Sequence, residues 1–358
     1  MSIVAHLYSF FIGVDTHARN HVYTIITNTG ILVETRSFPT SRAGIKRAMA
    51  WAGRRTDGDL DSLWVVEGAA SYGAVLTGHI AAAGYSVVEA GRMDAKARFG
   101  VGKSDELDSR RIAASVLPLD VDQLRWPRQG AGVRQALRVL LAARDAMTTE
   151  RTRAINALTA LVRTVDLGLD ARQSLTDAQV VEIAKWRTRN EDVDVFTARA
   201  EATRLAKRAL ALDDDLHDNH DRLTELVEAS PAAVLLAEPG VGPFSAAVCF
   251  TAWSHPGRVR DEAAFAALAG VNPIPASSGN TQRHRLNRGG DRQLNRALHT
   301  VITNRMIHDE RTKNYVARHC GEGPTKKSKR EIKRKLKWYL ARRVFKILNG
   351  LETIPTPA

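Results

Sequence analysis

The chain has 358 residues, of which 44% are hydrophobic and 25% charged; it is long enough for more than one core and too apolar for a disordered polymer. Its only cysteines, Cys249 and Cys320, lie far apart with no C-x-x-C spacing, which argues against a disulfide framework and a structural zinc site. The net charge of +13 is concentrated: residues 279–347 hold 20 Lys and Arg against 5 Asp and Glu, so the rest of the chain is slightly acidic, and such asymmetry favours a nucleic acid over a membrane surface as partner.

Residues 8–90 alternate strand and helix patterns. "YSFFIGVD" reads as a buried strand, and "HVYTIITNTGILVETRSF" as a hairpin turning at Asn28-Thr29-Gly30. "SRAGIKRAMAWAGRR" reads as a helix capped by Ser41, followed by the strand "SLWVVEG", a helix ended by Gly84, and the strand "SVVEAG". A further helix begins at "SDELDSRR". Three strands joined by short turns, then strand–helix alternation, predict a mixed sheet in the order of the ribonuclease H-like fold.

From Val133 the pattern is long helices. One apolar stripe runs Val133, Leu137, Leu140, Leu141, Met147, Ile155, Leu158, Val162, Val165, with Arg144 and Arg151 interrupting it; a second runs Leu205, Ala209, Leu212, Leu216, Leu223, Leu226 at near-heptad spacing. The stripes fit either two helices packing within one domain or an antiparallel coiled-coil hairpin that also joins a second copy. Beyond Pro231, short helices around Pro239-Gly240-Val241-Gly242 suggest a helix-hairpin-helix whose turn amides could face a phosphate. "NRGGDRQLNRAL" reads as a Gly-Gly turn before a helix capped by Asp291, and "KKSKREIKRKLK" as a basic amphipathic helix.

Four acids stand out. Asp15 and Glu67 close apolar strand runs, where a buried charge is costly unless a cation compensates it. Asp105 and Asp108 are three apart at a helix start, hence on one face. Adjacent first and fourth strands plus that helix would bring all four together. Such a set repels itself unless divalent cations sit within it; Mg²⁺ or Mn²⁺, two ions per site, suits hard oxygen donors and phosphoryl transfer on nucleic acid. Taken singly, each acid could equally be a turn or helix-cap residue. Gly102-Lys103-Ser104 superficially resembles a P-loop end, but position 97 is alanine and the preceding strand stops near Ala90, so Lys103 is read as a nucleic-acid contact instead.

The blocks "IGVDTH", "VVEGAASYG", "GKSDELDSRR", "PGVGPFSAA", "AFAALAGVNP" and "SSGNTQRHRLNRGGDRQLNRAL", in this order along nearly the whole chain, resemble the DEDD-type insertion-sequence transposases, bridge-RNA-guided recombinases. Ala70 and Ser109 stand where that family usually has Gly and Ala, beside the acids rather than at them. The resemblance implies an α/β ribonuclease H-like (RuvC-like) catalytic domain at 1–130, a helical coiled-coil oligomerisation segment at 131–228, and a mainly α transposase domain at 229–358 with a nucleophilic serine and basic tail. That serine maps to Ser278, with Ser277 the competing position; from the residues alone "PIPASSGN" is an ordinary Pro/Ser/Gly loop. Arg283, Arg285, Arg288 and Arg292 follow and could hold a phosphate.

The resemblance further implies DNA cleavage and strand exchange through a covalent phosphoserine intermediate, with donor and target double-stranded DNA, a noncoding guide RNA, and a homo-oligomer, dimer or tetramer, as partners. A metal-dependent Holliday-junction resolvase or nuclease acting by hydrolysis is the alternative. No apolar run reaches the ~18 residues of a membrane span, and the N-terminus lacks a basic region before its apolar stretch. The expectation is a soluble cytoplasmic protein associated with the nucleoid.

Overall fold

The computed structural model describes residues 2–91, 104–128, 130–187, 189–276, 284–285, 287–321 and 328–353, with backbone only at 284, 352 and 353. The chain divides into two compact units: 1–130 with 253–264, and 131–252 with 265–358.

The first unit is built on a five-stranded sheet. Strands β1 (Phe10–Thr16), β2 (Asn20–Thr27) and β3 (Leu32–Pro39) form an antiparallel meander; β4 (Ser62–Val66) and β5 (Ser86–Glu89) run parallel to β1, giving the order β3-β2-β1-β4-β5. Gly30, with φ of 81°, makes the β2–β3 turn at the position the sequence assigns to it. The connecting helices are α1 (Arg42–Arg55), α2 (Ala74–Ala82) and α3 (Asp105–Ala114). Ser41 caps α1 by accepting the Gly44 N–H at 3.2 Å. This mixed sheet, followed by a mostly helical remainder, is the ribonuclease H-like architecture expected from the strand and helix patterns.

Strand alternation divides the core between the two faces of the sheet. Ile12, Val14, Tyr23, Ile25, Trp64 and Val66 pack with Ile45, Trp51 and Leu76 on the α1/α2 face. Phe11, Ile26, Leu63, Val65 and Val88 pack with Ile112, Ala113 and Val116 on the α3 face. Covered on both sides, β1 and β4 read as unbroken apolar runs. Gly13 shares the α3 face, and α3 lies so close to it that a β-carbon there would stand 2.1 Å from the Ser109 carbonyl oxygen.

Ser109 is fully buried, and its hydroxyl donates to the Glu106 carbonyl at 3.0 Å. With that proton committed, Thr24 donates to Ser109 at 2.7 Å and Thr35 to Thr24 at 2.8 Å. A one-way chain of hydroxyls therefore ties β3 and β2 to the first turn of α3. The serine that departs from the expected alanine is a satisfied polar link, which removes the cost of burying it.

The second unit opens with α4 (Gly132–Thr164), α5 (Asp177–Ala184) and α6 (Val193–Glu228). Contacts between α4 and α6 run in opposite order along the two chains: Asn219 to Leu140, Arg144 to Leu216, Arg208 to Glu150. The helices are thus antiparallel. Arg144 and Arg151, which interrupt the apolar stripe of α4, are cross-helix pins: Arg144 donates to the Leu216 carbonyl at 3.0 Å, and Arg151 binds Asp213 on α6 and Asp177 at the start of α5. On α6 the buried stripe follows the sequence expectation in part: Ala209, Leu212 and Leu223 are buried as read. Leu205, Leu216 and Leu226 are only half-buried, while Ala198, Ala202, Ala206 and Ala209 face Ala154, Leu158 and Val162 of α4 and neighbouring apolar residues around α5. Small side chains let the helix backbones approach, and in the N-terminal part of α6 the contact face is carried by alanines that the leucine seam does not include.

After the 3-10 turn Pro231–Ala237 come α7 (Pro243–Trp253), α8 (Glu262–Leu268), a two-residue strand pair β6 (Ile274–Pro275) and β7 (His284–Arg285), and helices α9 (Arg292–His308), α10 (Glu310–His319) and α11 (Lys329–Asn349). The first arm around Pro239–Gly242 is thus a 3-10 turn and not an α-helix, set by Pro231 at its start and a length of 7 residues. Gly240, with φ of 71°, makes the turn beneath Arg305, which donates to the Pro239 carbonyl at 2.5 Å. Among the described residues no helix is long and apolar enough to cross a membrane.

Both cysteines are free thiols. Burial, and then the charge of Asp291, pushes the Cys249 thiol up to about 12, whereas Cys320 is partly exposed. Because the thiolate is the reactive form, maleimide at pH 8 should label one cysteine rapidly, Cys320, and reach Cys249 only after denaturation. Mass spectrometry of labelled peptides reads this directly; fast labelling of Cys249 in the native protein contradicts the packing around it.

Candidate carboxylate site

Asp15 follows Phe11 and Gly13 on the α3 face, so strand alternation delivers its carboxylate to the start of α3. That helix begins at Asp105 because Ser104 caps it, accepting the Leu107 N–H at 3.3 Å. Its first turn carries Asp105, Glu106 and Asp108, favourably placed at the positive end of the helix dipole.

One group of side chains among the described residues has metal-ligand spacing: Asp15, His17 and Asp105, whose ligand atoms all lie within 4.8 Å of one another. His17 Nε2 lies 3.2 Å from Asp15 Oδ2 and 3.6 Å from Asp105 Oδ2, joining the two carboxylates. His17 is itself held by its backbone: its N–H donates to His21 Nδ1 at 3.2 Å, so the buried His21 carries its proton on Nε2. Burial, reinforced by the nearby His17, lowers the His21 pKa and keeps that ring neutral.

The Asp15 carboxyl is pushed above its usual range, first by burial and then, against the pull of His17, by the charges of Asp105 and Asp108. A carboxylate so placed is poorly stabilised by the protein alone. Added positive charge is what this donor set lacks, and hard oxygen donors on two elements fit a divalent cation.

The four acids singled out in the sequence are therefore gathered to different degrees. Asp15 and Asp105 meet directly. Asp108 is buried, is felt electrostatically by Asp15, and lies 3.5 Å from Arg111. Glu67 sits beside Asp15 through its backbone: its N–H donates to the Val14 carbonyl at 3.0 Å, and its carbonyl accepts the Thr16 hydroxyl at 2.8 Å. Its exposed side chain stands outside the three-residue ligand group. Sequence reasoning missed His17; the available signal was a histidine two residues after a strand-end acid, hence on the same face.

In the C-terminal part, Arg285, Arg288 and Arg292 are exposed around β7 and the start of α9. Asp291 caps α9 by accepting the Leu294 N–H at 3.0 Å, as its position in the sequence suggests. Lys103, Ser277, Ser278 and Arg283 lie outside the described residues. The frame leading to residues 277–283 is described, however. Gly270 and Gly290 pack backbone against backbone, the Asp291 N–H donates to the Leu268 carbonyl at 2.7 Å, and Asn287 donates to Asn272 at 2.7 Å.

A β3-β2-β1-β4-β5 sheet with strand-end and helix-start acids converging on one face defines a ribonuclease H-like protein of the DEDD type. Comparison with known proteins narrows the class. Residues 12–165 match the family model described as a DEDD transposase of the IS110 type, and residues 232–317 match that of the IS116/IS110/IS902 transposase family. The chain belongs to this family of insertion-sequence transposases, which are DNA-processing enzymes. It is also 27% identical, over 364 aligned positions covering 87% of this chain and 89% of the relative, to an uncharacterized 42 kDa protein of insertion element IS900 from Mycobacterium paratuberculosis.

Proposed function

We propose that the chain is a divalent-metal-dependent recombinase that moves an insertion sequence, cutting and exchanging DNA strands through a covalent phosphoserine intermediate under the direction of a noncoding guide RNA. The observation that carries this reading is the convergence of Asp15, Asp105 and His17, with Asp108 and the Glu67 backbone beside them, at the C-terminal end of the central strand of a ribonuclease H-like sheet.

In this reading Asp15, Glu67, Asp105 and Asp108 hold Mg²⁺ or Mn²⁺, and His17 positions the first two aspartates it touches. When bound, two such ions supply charge neutralisation at the phosphate and at the attacking and leaving oxygens. The chain's own contribution is orientation: strand β1 fixes Asp15, the cap at Ser104 fixes Asp105, and the hydroxyl chain from Thr35 to Ser109 holds α3 in register with the sheet.

Ser278 is the proposed nucleophile. Its oxygen forms a bond to phosphorus as a phosphorus–oxygen bond of the DNA backbone breaks, and its proton ends on the leaving oxygen. The phosphodiester energy is retained for rejoining without ATP. Arg283, Arg285, Arg288 and Arg292 are the proposed phosphate contacts around it, with Lys103 contacting nucleic acid near α3, and the assembly is a homo-oligomer.

A hydrolytic junction resolvase is the second reading, favoured by one observation: all four acids belong to the first unit, which holds a carboxylate site within itself. One experiment separates the two. Purified protein with its cognate RNA and paired DNA sites should yield a protein–DNA adduct stable to denaturation, and Ser278→Ala should abolish adduct and recombinant product together. An adduct that persists in the alanine variant removes Ser278 as nucleophile; cleavage with free ends and no adduct in the parent protein favours hydrolysis.

A further inference from the structure

Helices α9 and α11 enclose a groove of about 410 Å³ lined by His299, Met306, Lys329, Arg330, Lys333, Arg334 and Lys337. Five of the seven are lysine or arginine, and no carboxylate is among them. On α11 the cations recur at three- and four-residue spacing, which stacks them along one helix face over roughly 10 Å. The acid in the first turn of α11, Glu331, is turned to the helix cap, accepting from the Ser328 N–H and hydroxyl at 2.9 and 2.8 Å.

At the inner end of the groove Lys337 is only 9% exposed, and its ammonium donates to the Asn295 side-chain oxygen at 2.9 Å, a neutral partner. Burial, then Arg334 and Lys333, lower its pKa; burial, then Lys333 and Lys337, lower that of His299. Among the described residues the groove is thus a place where positive charge is assembled with no carboxylate in its lining. Burying a cation without an ion partner is costly, and an anion entering the groove would relieve that cost.

The chemistry of the walls narrows the anion. No Trp, Tyr or Phe lines the groove; Tyr315 and Tyr339 instead flank Lys335 at 5.9 and 5.7 Å, and Trp338 lies against Arg342 at 4.5 Å. Single-stranded nucleic acids are gripped by stacking their bases on aromatic rings, a platform this groove lacks. A duplex keeps its bases stacked internally and offers its phosphates outward, which suits a wall of point charges and guanidinium forks.

We infer that the α9–α11 groove is a second, sequence-independent docking surface that grips the phosphate backbone of duplex DNA. It is distinct from the arginines around residues 283–292 and rests on the reading that the chain processes DNA. Its role is to hold the duplex, leaving sequence choice elsewhere.

The test is the salt dependence of binding by the full chain to a fluorescein-labelled DNA duplex of arbitrary sequence, about three helical turns long, followed by anisotropy. Each phosphate contact contributes about 0.9 to the slope of log affinity against log salt. The combined variant Arg330→Gln, Lys333→Gln, Arg334→Gln should make that slope shallower by about 2 to 3. A control with the same charge loss on α4 and α6, Arg153→Gln, Lys207→Gln, Arg222→Gln, all exposed positions, should leave it unchanged.

Equal slopes in parent and groove variant, with native circular dichroism in both, overturn the groove as a docking surface. Equal loss in the control shows only net charge at work, and also overturns it. Tighter binding of a single strand or of an RNA duplex than of the DNA duplex, lost in the groove variant, replaces the assigned partner. Because this assay needs no cleavage, guide RNA or metal, its outcome is independent of whether Ser278 or the acidic site performs the chemistry.

Discussion

Replacing Asp15 with asparagine should abolish DNA cleavage, lowering the rate by about 10³-fold or more, while the protein melts at the same temperature or higher. The two halves of that expectation come from one cause. Asp15 is buried and crowded by Asp105 and Asp108, which raise its pKa and make its charged form costly in the folded protein. An amide of the same shape removes that cost, but it cannot offer a full negative charge to a cation at the proposed phosphoryl-transfer site, a chemistry in which electrostatic stabilisation dominates. Functional residues held against stability behave in this way. Titrating Mg²⁺ or Mn²⁺ should raise the melting temperature of the parent protein and leave that of the Asp15→Asn, Asp105→Asn variant unmoved, since only a state that binds the ion is stabilised by it. A melting temperature that falls by several degrees in Asp15→Asn would show the residue to be structural.

The second large effect is steric. Gly13→Ala should destabilise the protein by about 1–3 kcal/mol and remove activity with it, as read from urea unfolding and DNA cleavage. A β-carbon at Gly13 would lie 2.1 Å from the Ser109 carbonyl oxygen, 2.5 Å from the Ala113 nitrogen and 2.8 Å from its β-carbon. These are backbone and near-backbone atoms of α3, so the helix must move off the sheet and carry Asp105 and Asp108 away from Asp15. Gly78, in the interior of α2, has nothing within 4 Å of its added β-carbon. Gly78→Ala should therefore be neutral or stabilising by roughly 0.5–1 kcal/mol. If both alanines behave alike, the close approach of α3 to β1 is not what holds the acids together.

The first unit was legible in the sequence because its determinants are local. Unbroken apolar runs in "FIGVD" and "LWVVE", the Asn-Thr-Gly turn, and the cap at Ser41 each act within a few residues. They specify where elements begin and end. The meeting of Asp15 with Asp105 was expected from strand order together with the helix that begins at Asp105. His17 escaped notice because its role exists only once β1 and α3 are adjacent and His21 has fixed its backbone. The contact face of α6 was legible only in part, for a related reason. Leucines at near-heptad spacing dominate the pattern, yet close antiparallel approach to α4 selects the alanines beside them. The pair β6–β7 joins Ile274 to Arg285 and Pro275 to His284, partners beyond the reach of a local pattern, so "PIPASSGN" read only as a loop. In the same way Arg144 and Arg151 looked like interruptions of a stripe until the antiparallel partner supplied Leu216 and Asp213.

The frame around residues 269–291 has a consequence for how this family can change. Its two ends are fastened by glycine backbones in contact, by the Asn272–Asn287 amide bond, by Asn295 reaching the Ala269 carbonyl, and by two paired strand residues on each side. Each fastening joins the 268–275 side of the frame to the 284–295 side, across a stretch of chain that neither side spans alone. Members of the family that keep these pairs inherit one fixed separation between the two ends, and a change at any of them is a change in that spacing.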